Sequence, residues 1–256
     1  MKILAIGDVT DARAALYLSK ALFPFRRQRG IDFTLVNAEN AGFIVGPEPE
    51  TAELLLDGGA DVLTGGNHTL QRKSLHRMLE DSRRVLRPAN YPAEVPGMGY
   101  TILDARGYRL LVMNAIGQVN MDPVDCPFRT VDRILEREEG NYDFSILDFH
   151  ANETSEKRAM GFYLDGRVNI VYGTHTHTPT ADEQVLPKGT GFISDIGMCG
   201  PKHSILGIDV DTVLSRMVHK LPERWTPAAG DICAEGVIFT LDESTRRVCA
   251  VERVRF

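Results

Sequence analysis

Two histidines separated by one residue, His175 and His177, follow an apolar, β-branched stretch over residues 168–172 that ends at Gly173. The apolar stretch predicts a buried strand, and the glycine lets the backbone turn sharply where that strand ends. Because residues i and i+2 of an extended chain point to the same side, the two imidazoles can reach one centre. Imidazole is the commonest protein ligand of borderline transition metals, so the pattern favours a metal site; the alternative is two polar residues that cap a strand end.

Four further predicted strands end in side chains that can donate oxygen or nitrogen to a metal. In chain order these are Asp8, then Glu39 with Asn40, then Asn67 with His68, and then His150. Function gathers at the carboxyl ends of strands in α/β sheets, so the agreement of all five strand ends indicates a metal centre. Two ions that share a bridging carboxylate accommodate this set better than one, since a catalytic ion keeps a position open for water. Carboxylate, amide and imidazole without thiolate favour Fe, Mn or Zn.

The elements that must position these groups alternate between predicted strands and helices along most of the chain. Strands are predicted over residues 2–7, 33–36, 61–64, 99–105, 108–116, 144–149, 168–172, 191–194, 235–241 and 247–255. Helices are predicted over residues 11–29, 49–57, about 70–80, 128–138, 153–163 and 210–220, and Pro24 is expected to end or kink the first. We find no linker and no internal repeat, so residues 1–256 are expected to form a single domain, a layered α/β or αββα sandwich.

The composition is that of an ordinary globular protein, with 256 residues, 43% of them apolar and 25% charged. The formal charge of −6 argues against a surface that coats nucleic acid, but it leaves room for a small phosphorylated substrate in a locally positive pocket. No apolar run is long enough for a signal peptide or for a membrane span of ~20 residues. We therefore expect a cytoplasmic protein without membrane or stable nucleic-acid partners. Its four scattered cysteines are expected to be reduced and mostly buried, and homo-oligomer formation is left open.

The motifs around these strand ends resemble those of the calcineurin-like metallophosphoesterases, and more closely those of the bacterial YmdB-like subgroup. The shared superfamily motifs are Gly7-Asp8, Gly66-Asn67-His68, His150 and Gly173-Thr174-His175-Thr176-His177, in the expected order. Those typical of the subgroup also include residues 37–40, 87–92, 148–151 and 154–157, so the resemblance covers essentially the whole chain. Thr10 stands where the superfamily has a histidine, and Glu39-Asn40 stands where it has the bridging acid. The subgroup shares both departures.

This resemblance implies a four-layer αββα sandwich with mixed sheets and two divalent transition-metal ions, Fe or Mn, with Zn as an alternative. It implies that Asp8, Asn40 and His177 hold the first ion. It implies likewise that Asn67, His150 and His175 hold the second, and that Glu39 bridges them. The implied activity is a phosphodiesterase that attacks small phosphodiesters, 2′,3′-cyclic nucleoside monophosphates in particular, with hydroxide made at the two ions. His68 is the implied general acid for the leaving alkoxide.

Other interpretations stay open at this point. A broad-specificity phosphomonoesterase would use the same centre with a different pocket, and a regulatory binding protein would keep the metals with little turnover. An amidohydrolase also uses a His-x-His pair, but there the pair usually follows the first strand of a barrel.

Single residues have simpler interpretations as well. Asp8 could cap a helix, Asn40 could brace the loop at Gly42, and His68 could be a hydrogen-bond partner of a ligand. Asn90 and Thr154-Ser155 could contact substrate, and Thr154-Ser155 could equally cap the helix that follows. His76, His203 and His219 are expected to be surface or structural residues.

Overall fold

The computed structural model describes residues 1–256 and contains thirteen strands and six α-helices. Their bounds are β1 Lys2–Ile6, β2 Asp8–Val9, α1 Ala12–Arg29, β3 Phe33–Asn37, α2 Pro49–Asp57, β4 Val62–Thr64, α3 His76–Asp81, β5 Tyr100–Ala105, β6 Tyr108–Ile116, α4 Pro127–Arg137, β7 Phe144–His150, α5 Thr154–Leu164, β8 Ile170–Thr174, β9 Gln184–Val185, β10 Gly191–Ile193, β11 Met198–Pro201, α6 Val210–Val218, β12 Ile232–Asp242 and β13 Arg247–Arg255. None of the helices has the length and apolar character that crossing a membrane requires.

The strands form two mixed sheets. The first has the order β2-β11-β12-β1-β3-β4, with β13 paired to β12, and the second has the order β5-β6-β7-β8-β10-β9. In the first sheet β1, β3 and β4 are mutually parallel, so their carboxyl ends lie at one edge. In the second sheet β6, β7, β8 and β10 are parallel in the same way, and His150 lies opposite Thr174. The fold is therefore α/β, and each sheet gathers several strand ends at one edge.

Three apolar clusters hold these elements together. One contains residues of α1 and α2 with Leu4 and Ile6 of β1. A second joins the two sheets and contains Ile3 and Ala5 of the same strand. The third contains residues of α4 and α5 with strands of the second sheet. Successive side chains of a strand point to opposite faces, so β1 is buried on both faces. Its aliphatic side chains are 0% exposed, and such burial contributes ~1.5–3 kcal/mol for each large side chain.

The structure differs from the predicted elements at several places. Helix α1 does not end at Pro24 but continues to Arg29. Asp11 caps its start, and Gly30, at φ 65°, ends it. The predicted helix over about 70–80 is instead two 3₁₀ turns over residues 69–71 and 73–75 followed by α3. The short strands β2, β9 and β11 have too few residues for a recognisable pattern. The expectation that most cysteines are buried is wrong, since Cys126 and Cys249 are exposed.

Candidate metal centre

The structure brings all eight predicted site residues into one cluster at the carboxyl ends of β1, β3, β4, β7 and β8. Each of them has an atom within 3.8 Å of a polar atom of another member. The cluster consists of Asp8, Glu39, Asn40, Asn67, His68, His150, His175 and His177. Because these strands come from both sheets, the cluster lies where the two sheet edges meet.

The two carboxylates of the cluster are completely buried, and no lysine or arginine side chain bonds to either. Glu39 Oε1 lies 3.3 Å from His150 Nε2, and its Oε2 accepts the backbone N–H of His68 at 3.0 Å. Asp8 Oδ2 accepts the backbone N–H of His175 at 3.2 Å. Asp8 Oδ1 has no hydrogen-bond partner, although it lies between His150 and His177, at 3.8 and 3.7 Å. A buried carboxylate oxygen left without a partner is costly, which is the arrangement expected where a cation binds.

The imidazoles face one another with ring nitrogens turned inward. His150 Nε2 lies 3.0 Å from His175 Nδ1 and 3.2 Å from Asn67 Oδ1. Burial by itself would lower the pKa of His150, but the charges of Glu39 and Asp8 outweigh it and raise that pKa to about 9. Burial and the neighbouring His150 lower the pKa of His175 to about 3. Without metal, His150 therefore carries the proton that a metal ion would displace.

Hydrogen bonds behind the cluster fix which nitrogen each ring presents. His177 Nδ1 lies 3.1 Å from the Leu206 carbonyl and must donate to it, which leaves Nε2 for a ligand. His150 Nδ1 donates to Thr174 Oγ1 at 2.9 Å, because that hydroxyl itself donates to Asp148 at 2.8 Å. Partners of this kind orient metal-ligating histidines. Asp148 is fully buried, and this raises its pKa to about 6.

The two histidines of the His-x-His pair reach the centre by a turn and not along an extended chain, as the i, i+2 argument assumed. β8 continues through Gly173 to Thr174, and His175 and His177 follow with φ 99° and 59°. These are left-handed conformations that non-glycine residues rarely adopt. Gly173 is required for a close approach, because a Cβ there would lie 1.9 Å from the Ser194 carbonyl oxygen. The prediction that this glycine makes the turn is therefore wrong.

The residues present fit a metal. Ligand atoms of Glu39, His150 and His175 all lie within 4.8 Å of one another. The neighbouring Gly66 leaves this space open, since a Cβ there would lie 2.4 Å from His150 Nε2 and 2.5 Å from Glu39 Oε2. One carboxylate oxygen and two imidazole nitrogens form a donor set suited to divalent transition metals.

The remaining members of the cluster are Asn40 and His68, and hydrogen bonds fix the orientation of each side chain. The Asn40 amide nitrogen lies 3.1 Å from His177 Nε2, and its oxygen lies 3.0 Å from His68 Nδ1. The same nitrogen donates to Glu39 Oε1 at 2.7 Å, so the amide oxygen is directed to His68 and not to His177. The side chain thus faces the cluster and not the loop at Gly42. His68 Nδ1 also lies 3.1 Å from Glu39 Oε1, so Nδ1 must donate and Nε2 is left without a protein partner.

A cavity of about 310 Å³ opens above the cluster. Its lining consists of Thr10, Glu39, Asn40, Phe43, Ile44, His68, Asn152, His175, Thr176, His177, Leu206 and Ile208. Several residues considered from the sequence lie elsewhere. Asn90 is buried, and its amide bonds only to the backbone of Ile116 and Asp125, so it is structural. Thr154 and Ser155 are exposed, and α5 begins without a side-chain cap.

His76, His203 and His219 do not line this cavity, as expected.

Sequence reasoning missed two parts of the site. Asp195 follows β10 and binds the turn between the two histidines through Thr176, with N–H and hydroxyl bonds of 3.1 and 2.8 Å. It is a sixth polar strand end, and its position after the predicted strand over 191–194 was the available signal. The apolar side of the cavity had no such signal, because its residues come from loops.

The fold and this cluster define an α/β protein with a candidate metal centre at its strand ends. A family model described as "YmdB-like protein" matches residues 4–254. The chain therefore belongs to the YmdB-like family, and the resemblance seen in the sequence is confirmed.

Individual relatives agree with this assignment. The chain is 38% identical, over 99% of its length and 96% of the relative, to a Bacillus subtilis protein named 2′,3′-cyclic-nucleotide 2′-phosphodiesterase. A crystal structure of a hypothetical protein from Thermus thermophilus has a TM-score of 0.90 and 38% identity, with 100% and 99% of the two chains covered. Another, described as a novel phosphatase from Mycoplasma pneumoniae, has a TM-score of 0.92 and 28% identity, with 100% and 93% covered.

Proposed function

We propose that the protein is a metal-dependent phosphoric ester hydrolase that acts on small phosphodiesters, and that its substrates are 2′,3′-cyclic nucleoside monophosphates. The observation that carries this proposal is the convergence of two buried carboxylates and three inward-facing imidazoles beneath one cavity, which Glu39, His175 and His177 line. Such a set has no use in packing, since each buried charge would cost energy without a cation. The name of the Bacillus subtilis relative supports the substrate class.

Two divalent transition-metal ions, Fe or Mn with Zn as the alternative, would be held by this cluster. Asp8, Asn40 and His177 would hold one ion and Asn67, His150 and His175 the other. Glu39 would contact both. When bound, such ions lower the pKa of water, so that hydroxide is available near neutral pH, and they neutralise phosphate oxygens.

His68 protonates the leaving oxygen in this proposal. Its Nδ1–H is held by Glu39 and Asn40, which fixes the ring and leaves Nε2 for a proton transfer into the cavity. When water adds to phosphorus and the P–O bond to the sugar breaks, the departing alkoxide needs a proton. An imidazolium can supply it.

The test compares substrates whose leaving groups differ in their need for that proton. Purified wild type and His68→Ala would be loaded with Mn²⁺ and assayed on 2′,3′-cyclic AMP and on bis-p-nitrophenyl phosphate. The p-nitrophenolate ion is stable and leaves without a proton, whereas a sugar alkoxide does not. We expect a loss of ~10²–10⁴-fold on the cyclic nucleotide and a much smaller loss on the nitrophenyl diester.

Metal content by elemental analysis and a matched histidine variant complete the design. His68→Ala should keep the wild-type metal content, and His203→Ala, which removes an exposed histidine outside the cavity, should keep both metal and activity. Equal losses on both diesters would contradict the role of His68. Metal without hydrolysis of either diester would overturn the phosphodiesterase and favour a regulatory binding protein.

A phosphomonoesterase is the second candidate, because the Mycoplasma pneumoniae relative is described as a phosphatase. p-Nitrophenyl phosphate in the same assay separates the two activities. Faster hydrolysis of this monoester than of either diester would favour the phosphomonoesterase.

We also infer that the layers form a four-layer αββα sandwich. One apolar cluster joins the two sheets, and the other two join each sheet to helices, α1 and α2 for the first and α4 and α5 for the second. This is the packing that such a sandwich requires.

A further inference from the structure

Four of the residues that line the cavity above the cluster are apolar. They are Phe43, Ile44, Leu206 and Ile208, which we call the apolar wall. The same lining includes members of the polar cluster, among them Glu39 and His175. A phosphate bound at the cluster would leave the wall beside it, in a cavity of about 310 Å³. Small-molecule sites measure roughly 300–1,000 Å³, so the cavity has room for more than a phosphate group.

Backbone hydrogen bonds attach the apolar wall directly to the cluster. The Phe43 N–H donates to the Asn40 carbonyl at 2.8 Å, and the Leu206 carbonyl accepts from His177 Nδ1 at 3.1 Å. The loop that carries Ile44 is closed at its far end by Gly46, whose N–H donates to the His68 carbonyl at 3.2 Å. The wall therefore keeps a fixed position relative to the residues that would hold the phosphate.

Three residues of the apolar wall have strained backbones. Phe43, Ile44 and Leu206 have φ values of 62°, 61° and 57°, in the left-handed region. A β-branched residue such as isoleucine is rarely found there. Five of the nine non-glycine residues with positive φ in the chain line this cavity, the other two being His175 and His177. Strain of this kind persists where the surrounding structure fixes it, and it clusters at functional sites.

We propose that the apolar wall binds the base of a nucleotide substrate whose phosphate lies at the metal centre. This inference rests on the proposed function for the position of the phosphate. The wall carries no charged side chain, so it offers apolar contact to a flat ring and no hydrogen bonds that read one base. It therefore separates nucleotides from phosphates without a base, and it discriminates little between bases.

The test measures binding as well as turnover. Isothermal titration of the Mn²⁺-loaded protein would compare adenosine 3′-monophosphate, inorganic phosphate and octyl phosphate. The variants are Ile44→Gly, which removes a side chain where glycine suits the backbone, and Leu206→Ala. Leu16→Ala is the matched control, because Leu16 is 45% exposed and Leu206 is 46% exposed, but Leu16 lies on α1 outside the cavity. Thermal unfolding would show that each variant is folded.

We expect wild type and Leu16→Ala to bind the nucleotide more tightly than phosphate. Each wall variant should bind the nucleotide about tenfold more weakly and phosphate unchanged. Equal binding of nucleotide and phosphate by wild type, or equal losses for both in the variants, would overturn the inference. Tighter binding of octyl phosphate than of the nucleotide would identify an aliphatic occupant and also overturn it.

Hydrolysis of 2′,3′-cyclic AMP by the same preparations separates this inference from the proposed function. If the wild type binds the nucleotide through the wall but hydrolyses nothing, the inference about the wall is supported and the proposed function is contradicted. If it hydrolyses the cyclic nucleotide and both wall variants keep the wild-type KM, the proposed function is supported and the inference about the wall is contradicted. With both correct, KM rises in the wall variants while kcat stays the same, as for a contact made equally before and during reaction.

Discussion

The ammonium group of Lys157 lies 2.7 Å from Asp195 Oδ2, and both side chains are 1% exposed. The same oxygen accepts hydrogen bonds from the backbone N–H and the hydroxyl of Thr176. Thr176 separates His175 from His177, and both histidines have left-handed backbones. The buried ion pair thus holds the turn that delivers two of the candidate metal ligands.

Replacing Lys157 with methionine should destabilise the protein. The substitution leaves the Asp195 carboxylate buried without its cation, which typically costs ~3–5 kcal/mol. The His175–His177 turn should also loosen, so the metal content per chain should fall. Urea unfolding and elemental analysis measure the two effects.

Two further variants test the cause. Lys20→Met removes an exposed lysine from α1 and should change the free energy of unfolding by less than ~0.5 kcal/mol. The double variant Lys157→Met with Asp195→Asn removes both charges and should be more stable than Lys157→Met alone. If the double variant were the less stable of the two, the uncompensated charge would not be the cause.

Gly66→Ala should remove metal without unfolding the protein. The new Cβ would lie 2.4 Å from His150 Nε2, so the ring must move out of the position in which it faces His175. We expect a metal content well below that of wild type, and hydrolysis of bis-p-nitrophenyl phosphate reduced ~10²-fold or more, since small misplacements of catalytic groups are costly. Gly107→Ala is the control, because its Cβ would meet nothing within 4 Å and its strain at φ 85° would affect stability alone. A metal-replete Gly66→Ala would contradict this account.

The sequence predicts the strand ends well because the central strands are buried on both faces. Such strands are nearly continuous apolar runs, and a polar residue soon after the run marks the end of the strand, as Asp8 does after β1. Asp195 was missed although it directly follows the predicted strand over residues 191–194, because it supports the site indirectly, through Thr176. Pairing of short strands such as β2 with β11 is decided by contacts between distant segments, which no local pattern contains.

Backbone conformations that depend on distant contacts could not be predicted from the sequence either. Nothing local in the sequence shows that His175 turns at φ 99°, because its backbone N–H bonds to Asp8, 167 residues away. The apolar wall depends on such conformations in two separate loops. The clustering of the candidate site residues was therefore predictable, whereas the residues that support them and the shape of the cavity were not.

Asp8→Asn should change the stability of metal-free and metal-loaded protein in opposite directions. Without metal, Asp8 is a buried carboxylate whose pKa is raised by burial and whose Oδ1 has no partner. The variant should therefore be at least as stable as wild type after chelation. In excess Mn²⁺ wild type should gain ~2.7 kcal/mol at a hundred times its dissociation constant, and the variant should gain much less.

Thermal unfolding with and without EDTA measures this difference. Asp57→Asn, at an exposed position on α2, should behave like wild type in both conditions. A chelated Asp8→Asn protein that unfolds at a clearly lower temperature than chelated wild type would show that Asp8 has a structural role that outweighs its buried charge.

Asp242, at the turn between β12 and β13, makes the stability of the folded protein depend on pH in the acid range. Its Oδ1 accepts the N–H and the hydroxyl of Ser244 at 2.9 and 2.7 Å, and these bonds lower the pKa of the carboxyl group to about 2. A carboxyl whose pKa is lower in the folded state stabilises the fold above its unfolded pKa of about 4, and this contribution is lost as the pH falls towards 2. Asp242→Asn should therefore unfold at lower urea concentration than wild type by a constant amount between pH 5 and pH 7, and the difference should shrink between pH 4 and pH 2. Ser244→Ala, which removes one donor, should make the difference smaller, and a difference that did not change with pH would exclude the carboxylate as its source.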